Sequence, residues 1–185
     1  MSLRLLPNAL TLFRMIAVGP IVYMLLSGRH LLAFALAVFA GISDLLDGYL
    51  ARRYGWKTHF GGVLDPLADK LLLVSTTLAL AWLGHLPWWL VFLVVLRDAV
   101  IVGGGLFYHH FIARITPSAP TTVSKWNTLF QILLVVSVMF SLAFPRFSGA
   151  WIMALVYIVA VTTVVSGVQY VVIWSLRANR QRGRD

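Results

Sequence analysis

The stretch from Ser43 to Lys70, "SDLLDGYLARRYGWKTHFGGVLDPLADK", lies between two long apolar runs and holds four aspartates: Asp44, Asp47, Asp65 and Asp69. The chain has only six acidic residues and no glutamate, so most of its negative charge is concentrated in this window. Asp44 and Asp47 are three residues apart and Asp65 and Asp69 four apart. On helices each pair shares a face, with neighbouring Cβ atoms about 5–6 Å apart. Two antiparallel helices can therefore bring all four carboxylates together. Like charges crowded in this way raise one another's pKa, and a charge at membrane depth costs at least ~2.5 kcal/mol. Something cationic must compensate.

The rest of the chain indicates the surroundings of that window. Of its 185 residues 60% are hydrophobic and 11% charged, far from the roughly 25% charged residues of soluble domains. With a mean hydropathy of +0.87, the composition points to an integral membrane protein embedded in the lipid bilayer. Apolar stretches fall near residues 10–27, 31–51, 63–83, 87–110, 124–144 and 149–174, and a run of ~20 residues suffices to cross the hydrocarbon layer as a helix. Turn or charge signals separate them: "SGRH", "RRYGWKTHFGG", "GHLP", "HHFIARITPSAPTT" and "FPRFSG". Strands are disfavoured, because open sheet edges leave backbone groups unpaired in lipid and no barrel-like alternation is present. The expected fold is all-α, six transmembrane helices in one bundle, forming a single domain over residues 1–185. No repeat is evident. The absence of cysteine excludes disulfides and cysteine-ligated metals, and the first residues lack a small-residue cleavage site, so they read as part of the mature protein.

Charge orients the bundle. With six spans both termini share one side, which then holds Arg4, Arg52, Arg53, Lys57, Arg114, Lys125, Arg177, Arg180, Arg182 and Arg184; the other side holds Arg29 and Arg146. Positive loops mark the cytoplasm, so both termini, including the basic tail 175–185, and the aspartate window belong there. The expected location is a bacterial inner (plasma) membrane. The net charge of +9 suits anionic lipid headgroups. Nucleic acid is not expected as a partner, since the basic residues scatter over loops and a tail rather than lining one groove.

Hard divalent cations prefer oxygen ligands, and two such ions sharing carboxylates fit four aspartates with no histidine or cysteine. The competing reading is a salt-bridge cap with Arg52, Arg53, Lys57 and Lys70. Small residues at Gly48, Ala51 and Gly61 lie on or beside the carboxylate faces and allow a phosphate or nucleotide to approach the backbone. Arg52 adds a planar fork suited to phosphate oxygens.

The spacing Asp44-x-x-Asp47-Gly48-x-x-Ala51-Arg52, eight residues, then Gly61-x-x-x-Asp65-x-x-x-Asp69 resembles in full the motif of the CDP-alcohol phosphotransferases. The "PNALTLFR" and "SKWNTLFQ" stretches are similar to members that make glycerol-based phospholipids. The resemblance implies an intramembrane enzyme, typically a homodimer, transferring the phosphatidyl group of CDP-diacylglycerol to an alcohol and releasing CMP. It further implies that Asp44, Asp47, Asp65 and Asp69 hold two Mg2+ or Mn2+ ions, that Asp69 is also the catalytic base, and that Gly48, Ala51, Arg52 and Gly61 receive the CDP moiety. Among members, the Arg97-Asp98 pair, "PSAPTTVSKWNTLFQ" and the motif wording look most like eukaryotic-type cardiolipin synthases, whose glycerol-containing acceptor is phosphatidylglycerol. Phosphatidylglycerophosphate synthases, with glycerol 3-phosphate as acceptor, come next. A reading of another class, an ion or proton-coupled transporter, predicts acidic residues at the bilayer midplane and often internal repeats, which this chain does not show.

Several polar residues within the apolar runs have two readings. Asn8, Thr11 and Arg14 form one helical stripe, from which Arg14 either faces the bundle to meet a phosphate or an aspartate or snorkels to the headgroups. Arg97 and Asp98 either contact the acceptor or fix helix packing. Lys125, Asn127 and Gln131 either read an anionic headgroup or anchor at the interface. Lys70 points about 100° away from Asp69 on a helix. His109 and His110, being adjacent, diverge and make a poor metal pair. Trp82, Trp88 and Trp89 look like an interfacial belt. Pro66 disfavours a helical Asp65, unless the helix starts or kinks there; the family resemblance favours a helix that already includes Asp65.

Overall fold

The fold was obtained as a computed structural model, which describes the backbone of residues 6–54, 59–111, 121–146 and 149–182 and, within these, the side chains of 11–46, 53, 67–104, 121–146, 149–173 and 175–176. All regular structure among the described residues is helical: α1 (Leu6–Leu26), α2 (His30–Tyr54), α3 (His59–Trp82), α4 (Trp88–Phe111), α5 (Thr122–Ala143) and α6 (Ala150–Arg182). These helices coincide with the six apolar stretches. The largest departures are α1 and α3 each beginning earlier, α1 with Pro7 in its first turn, where a missing N–H costs nothing, and α6 continuing into the basic tail. α3 runs from His59 through Asp65 and Pro66 without a break, so the local preference of the residue before proline yields to the surrounding helix.

Two turns are set by glycine. Gly28 (φ 73°) and Gly84 (φ 78°) adopt the left-handed conformation, which only glycine enters without a Cβ penalty. Arg29 N–H donates to the Met24 carbonyl at 2.9 Å and Gly28 N–H to that of Leu25 at 3.1 Å; His85 and Gly84 repeat the pattern on Leu80 and Ala81 at 2.9 and 3.0 Å. These paired bonds satisfy the last carbonyls of α1 and α3 and stop both helices. At the start of α5, Thr121 is the N-cap: its Oγ1 accepts from Ser124 N–H at 3.2 Å.

The chain forms two compact units, one of residues 1–86 and 135–149, the other of residues 87–134 and 150–185. In the first, α1 packs against both α2 and α3. The α1 face that does so is Thr11, Arg14, Ala17, Val18, Ile21 and Leu25, all buried, at the spacing of one helical stripe. Phe13 meets Phe39 of α2 edge-to-face at 5.9 Å, and Phe34 meets Phe140 at 5.7 Å. Buried hydroxyls bond to their own helix, Ser43 to the Phe39 carbonyl at 2.9 Å and Thr76 to that of Leu72, which removes the cost of an unpaired donor. In the second unit α4 packs on α6.

The faces turned away from these contacts are apolar. Leu12, Ile16 and Tyr23 on α1, Leu45 on α2, Phe92 on α4 and Val161, Val164 and Val168 on α6 are all exposed. Soluble proteins rarely expose contiguous apolar surface on this scale. Among the described residues two helices, Thr122–Ala143 and Ala150–Ile173, are long and apolar enough to cross a membrane; Thr11–Leu26 and His30–Leu46 are apolar but shorter. Trp82, Trp88 and Trp89 are exposed on either side of the Gly84 turn.

Replacing Gly28 or Gly84 by alanine is expected to cost about 1–2 kcal/mol each, the penalty of a Cβ in the left-handed region, read as a lower thermal unfolding midpoint in detergent. In the same Gly84 turn, burial and then the charge of His30 hold the His85 imidazole below its ordinary value of 6.5. The unfolded chain therefore binds this proton more readily than the fold does, and stability falls as pH drops through about 6.5 and below. His85→Gln is expected to flatten the midpoint's dependence on pH between about 7 and 5.

Candidate active site

α1 brings a buried cation to the aspartates. Arg14 lies on the buried stripe with 1% of its side chain exposed, and its guanidinium reaches the carboxylates of two different helices. Nη2 pairs with Asp44 Oδ1 of α2 at 2.5 Å, and Nη1 donates to Asp69 Oδ1 of α3. The two acids are far more accessible, at 35% and 51%. The arrangement is a buried guanidinium shared by two partly exposed carboxylates. Of the two readings for Arg14, the one facing the bundle and meeting aspartates is the one observed. Burying this charge is tolerable only because it is paired, and bonds of this charge-assisted type are about twice as strong as neutral ones.

The remaining motif positions follow from the backbone. Asp47, Gly48, Ala51 and Arg52 lie on α2, and Gly61 and Asp65 on α3; their side chains fall outside the described residues. Asp47 is one helical turn beyond Asp44, and Asp65 one turn before Asp69, on the helices whose other two carboxylates meet at Arg14. No group of three or more metal-ligating side chains occurs among the described residues, two of the four aspartate side chains being outside that set. The donor chemistry nevertheless fits a hard divalent cation: oxygen ligands from two helices, brought together and accessible.

The second unit contains a different polar assembly. Arg97 of α4 is buried; its Nη1 donates to Asp98 Oδ1 at 2.8 Å, its Nε and Nη2 donate to Ser166 Oγ of α6 at 3.2 and 2.8 Å, and Nη2 also donates to Ser124 Oγ of α5. The fully buried Asn127 accepts at Oδ1 from the Thr162 and Thr163 hydroxyls at 2.8 and 2.9 Å. Tyr170 Oη accepts from Thr121 N–H at 3.4 Å. Arg97 thus bonds to α5 and α6, with Asp98 paired to it on α4. Lys125 is exposed, whereas Asn127 and Gln131 are buried. Ser124, Thr162, Thr163, Ser166 and Tyr170 were not anticipated. Their only sequence signal is helical spacing within apolar runs, as in Thr163, Ser166 and Tyr170. Asn8, His109 and His110 fall outside the described side chains.

Helices throughout the described residues, with Asp44 and Asp69 of successive helices meeting at Arg14, accompany a match to a known class. The family model described as CDP-alcohol phosphatidyltransferase matches residues 4–176, and the chain belongs to that family. It is 34% identical to a probable cardiolipin synthase (CMP-forming) of Drosophila melanogaster, over 90% of this chain and 56% of that protein. It is 35% identical to the chloroplastic CDP-diacylglycerol–glycerol-3-phosphate 3-phosphatidyltransferase 1 of Oryza sativa subsp. japonica, over 89% of this chain and 55% of that protein. A CDP-diacylglycerol–glycerol-3-phosphate 3-phosphatidyltransferase of Aquifex aeolicus is 34% identical over 71% of this chain and 74% of its own length. The chain spans about half the length of the first two of these curated relatives.

Arg97→Met is expected to lower stability by about 3 kcal/mol, because it removes the cation paired with the Asp98 carboxylate, itself 14% exposed. Thermal unfolding checks this, and the double variant Arg97→Met with Asp98→Leu is expected to recover much of the loss.

Proposed function

We propose that the chain transfers the phosphatidyl group of CDP-diacylglycerol to a glycerol-type alcohol, releasing CMP, with phosphatidylglycerol as the favoured acceptor. The observation that carries this reading is the meeting of Asp44 and Asp69 from α2 and α3 at one accessible site, in a chain matched by the family model over residues 4–176. Phosphatidylglycerol is supported by the relatives named cardiolipin synthase. Glycerol 3-phosphate is the second reading, supported by relatives whose names specify it.

Asp44, Asp47, Asp65 and Asp69 are the residues proposed to hold two divalent cations, Mg2+ or Mn2+. Such ions, when bound, supply neutralisation of the diphosphate and of the charge that grows on the leaving oxygen. The chain's own residues do the rest. The planar fork of Arg52 binds diphosphate oxygens and orients the phosphorus for in-line attack. Gly48, Ala51 and Gly61 leave room beside the helices for the nucleotide. An acceptor hydroxyl is a weak nucleophile at neutral pH, and the Asp69 carboxylate takes its proton as the new oxygen–phosphorus bond forms and the bond to CMP breaks; such a base contributes typically 10²- to 10⁴-fold. Arg14 beneath Asp69 holds the carboxylate in place for that transfer.

The finer setting is proposed on the same basis. The two units form one catalytic domain, as a family match running through both supports. Six spans cross a bacterial inner membrane with both termini and the aspartate window on the cytoplasmic side. Exposed apolar faces on the helices support the membrane, and positive loops support the orientation. A homodimer is proposed from the family resemblance.

Asp69→Asn is expected to abolish transfer while the protein still folds, since side-chain volume is kept and Arg14 retains Asp44. Purified protein given CDP-diacylglycerol, Mg2+ and phosphatidylglycerol, glycerol 3-phosphate or inositol phosphate, with products identified by mass, tests the reaction and acceptor together. Turnover of the asparagine variant at the wild-type rate removes Asp69 from its role, and absence of CMP release with every acceptor removes the proposal.

A further inference from the structure

We propose that Arg14 is a tethered counter-cation: it holds the aspartate site together when no divalent ion is present and competes with the metal for the same carboxylates, thereby weakening metal affinity. The proposal deepens the metal-site reading above and rests on it.

Three observations carry it. The guanidinium is anchored from below, 1% exposed on a helix that packs against both α2 and α3, so it cannot swing away into water as a surface arginine does. It engages one acid from each of those helices through Oδ1, so it cancels part of the repulsion between carboxylates that would otherwise push the helices apart. Those acids remain accessible at 35% and 51% while Arg14 is 1% exposed, so a cation arriving from outside meets ligands already partly neutralised. A fixed positive charge within one carboxylate of a divalent ion repels it, and in a partly buried site that repulsion is poorly screened. The same contacts that stabilise the metal-free fold therefore oppose metal binding. A site with four acids and no such arginine retains a divalent ion more tightly and is less stable without one. Arg14 is a positioning residue in this scheme, acting through Asp44 and Asp69.

The test uses the full chain in detergent micelles with Mn2+ as the probe, its binding followed by the electron paramagnetic resonance of the free ion and its effect on unfolding measured in parallel. Arg14→Gln is expected to unfold at a lower temperature than wild type in EDTA, to bind Mn2+ about tenfold more tightly, equivalent to about 1.4 kcal/mol, and to gain more from added Mn2+ in its unfolding midpoint. Arg14→Lys, which keeps the charge but not the fork, is expected to hold Mn2+ within about twofold of the wild-type Kd while losing stability in EDTA. If the glutamine variant does not survive without metal, it is purified in Mn2+ and its Kd is read by back-titration with EDTA. A glutamine variant that is destabilised yet binds Mn2+ with the wild-type Kd, or more weakly, overturns the competition and leaves Arg14 as a structural ion pair. A wild-type protein that binds no Mn2+ overturns the metal-site reading itself, and this inference with it.

Discussion

One buried guanidinium joins two aspartates of the candidate site in this protein. α1 is an apolar helix whose inward stripe is interrupted by a single cation, and that cation meets an aspartate from each of the next two helices. Without the pairing, Arg14 would be an uncompensated charge in an apolar interior, which costs several kcal/mol. Without Arg14, Asp44 of α2 and Asp69 of α3 would lose the cation they share. The three-helix contact of α1 with α2 and α3 and the accessible acid rim are therefore one feature. The packing places the charges, and the charges make the packing specific.

The second polar assembly shows the same constraint solved differently. Around Arg97 the partners are one adjacent acid and two serines, and around Asn127 they are two threonine hydroxyls. Arg97, buried at 8%, has Nε, Nη1 and Nη2 all bonded within the protein. The Arg14 site instead leaves its carboxylates half open. That contrast separates a cluster that fastens helices from one that can receive a ligand, although both consist of an arginine and aspartate set into apolar helices. Hydroxyls elsewhere return their hydrogen bonds to the preceding turn of their own helix, as Ser43 and Thr77 do. The backbone ladder is thus supplemented without requiring a partner on another helix.

Much of the architecture was legible in the chain. The six apolar stretches became six helices, and "SGRH" and "GHLP" became turns closed by Gly28 and Gly84, because helix length and left-handed glycine are decided by residues within a turn or two of each other. The spacing placed Asp44 and Asp69 on successive helices, and both reach Arg14 of α1. Pro66 shows where local preference misleads: it argued against a helix at Asp65, yet α3 begins at His59 and passes through both. A proline preference of a few kcal/mol at most is outweighed when the rest of the segment is held as helix.

The sequence by itself determined that this chain is helical, apolar, basic at one set of loops, and furnished with four aspartates at helical spacing, since each of these is a matter of composition or of neighbours along the chain. It left Arg14 and Arg97 each with two open readings: one on a polar stripe with Asn8 and Thr11, the other beside Asp98 in an apolar run. Only the tertiary structure separated them, giving Arg14 an accessible acid 55 residues away and Arg97 a serine 69 residues away together with its own neighbour Asp98. The physical reason is that a buried charge is defined by what surrounds it in space, and those partners are contributed by other helices that no local pattern specifies.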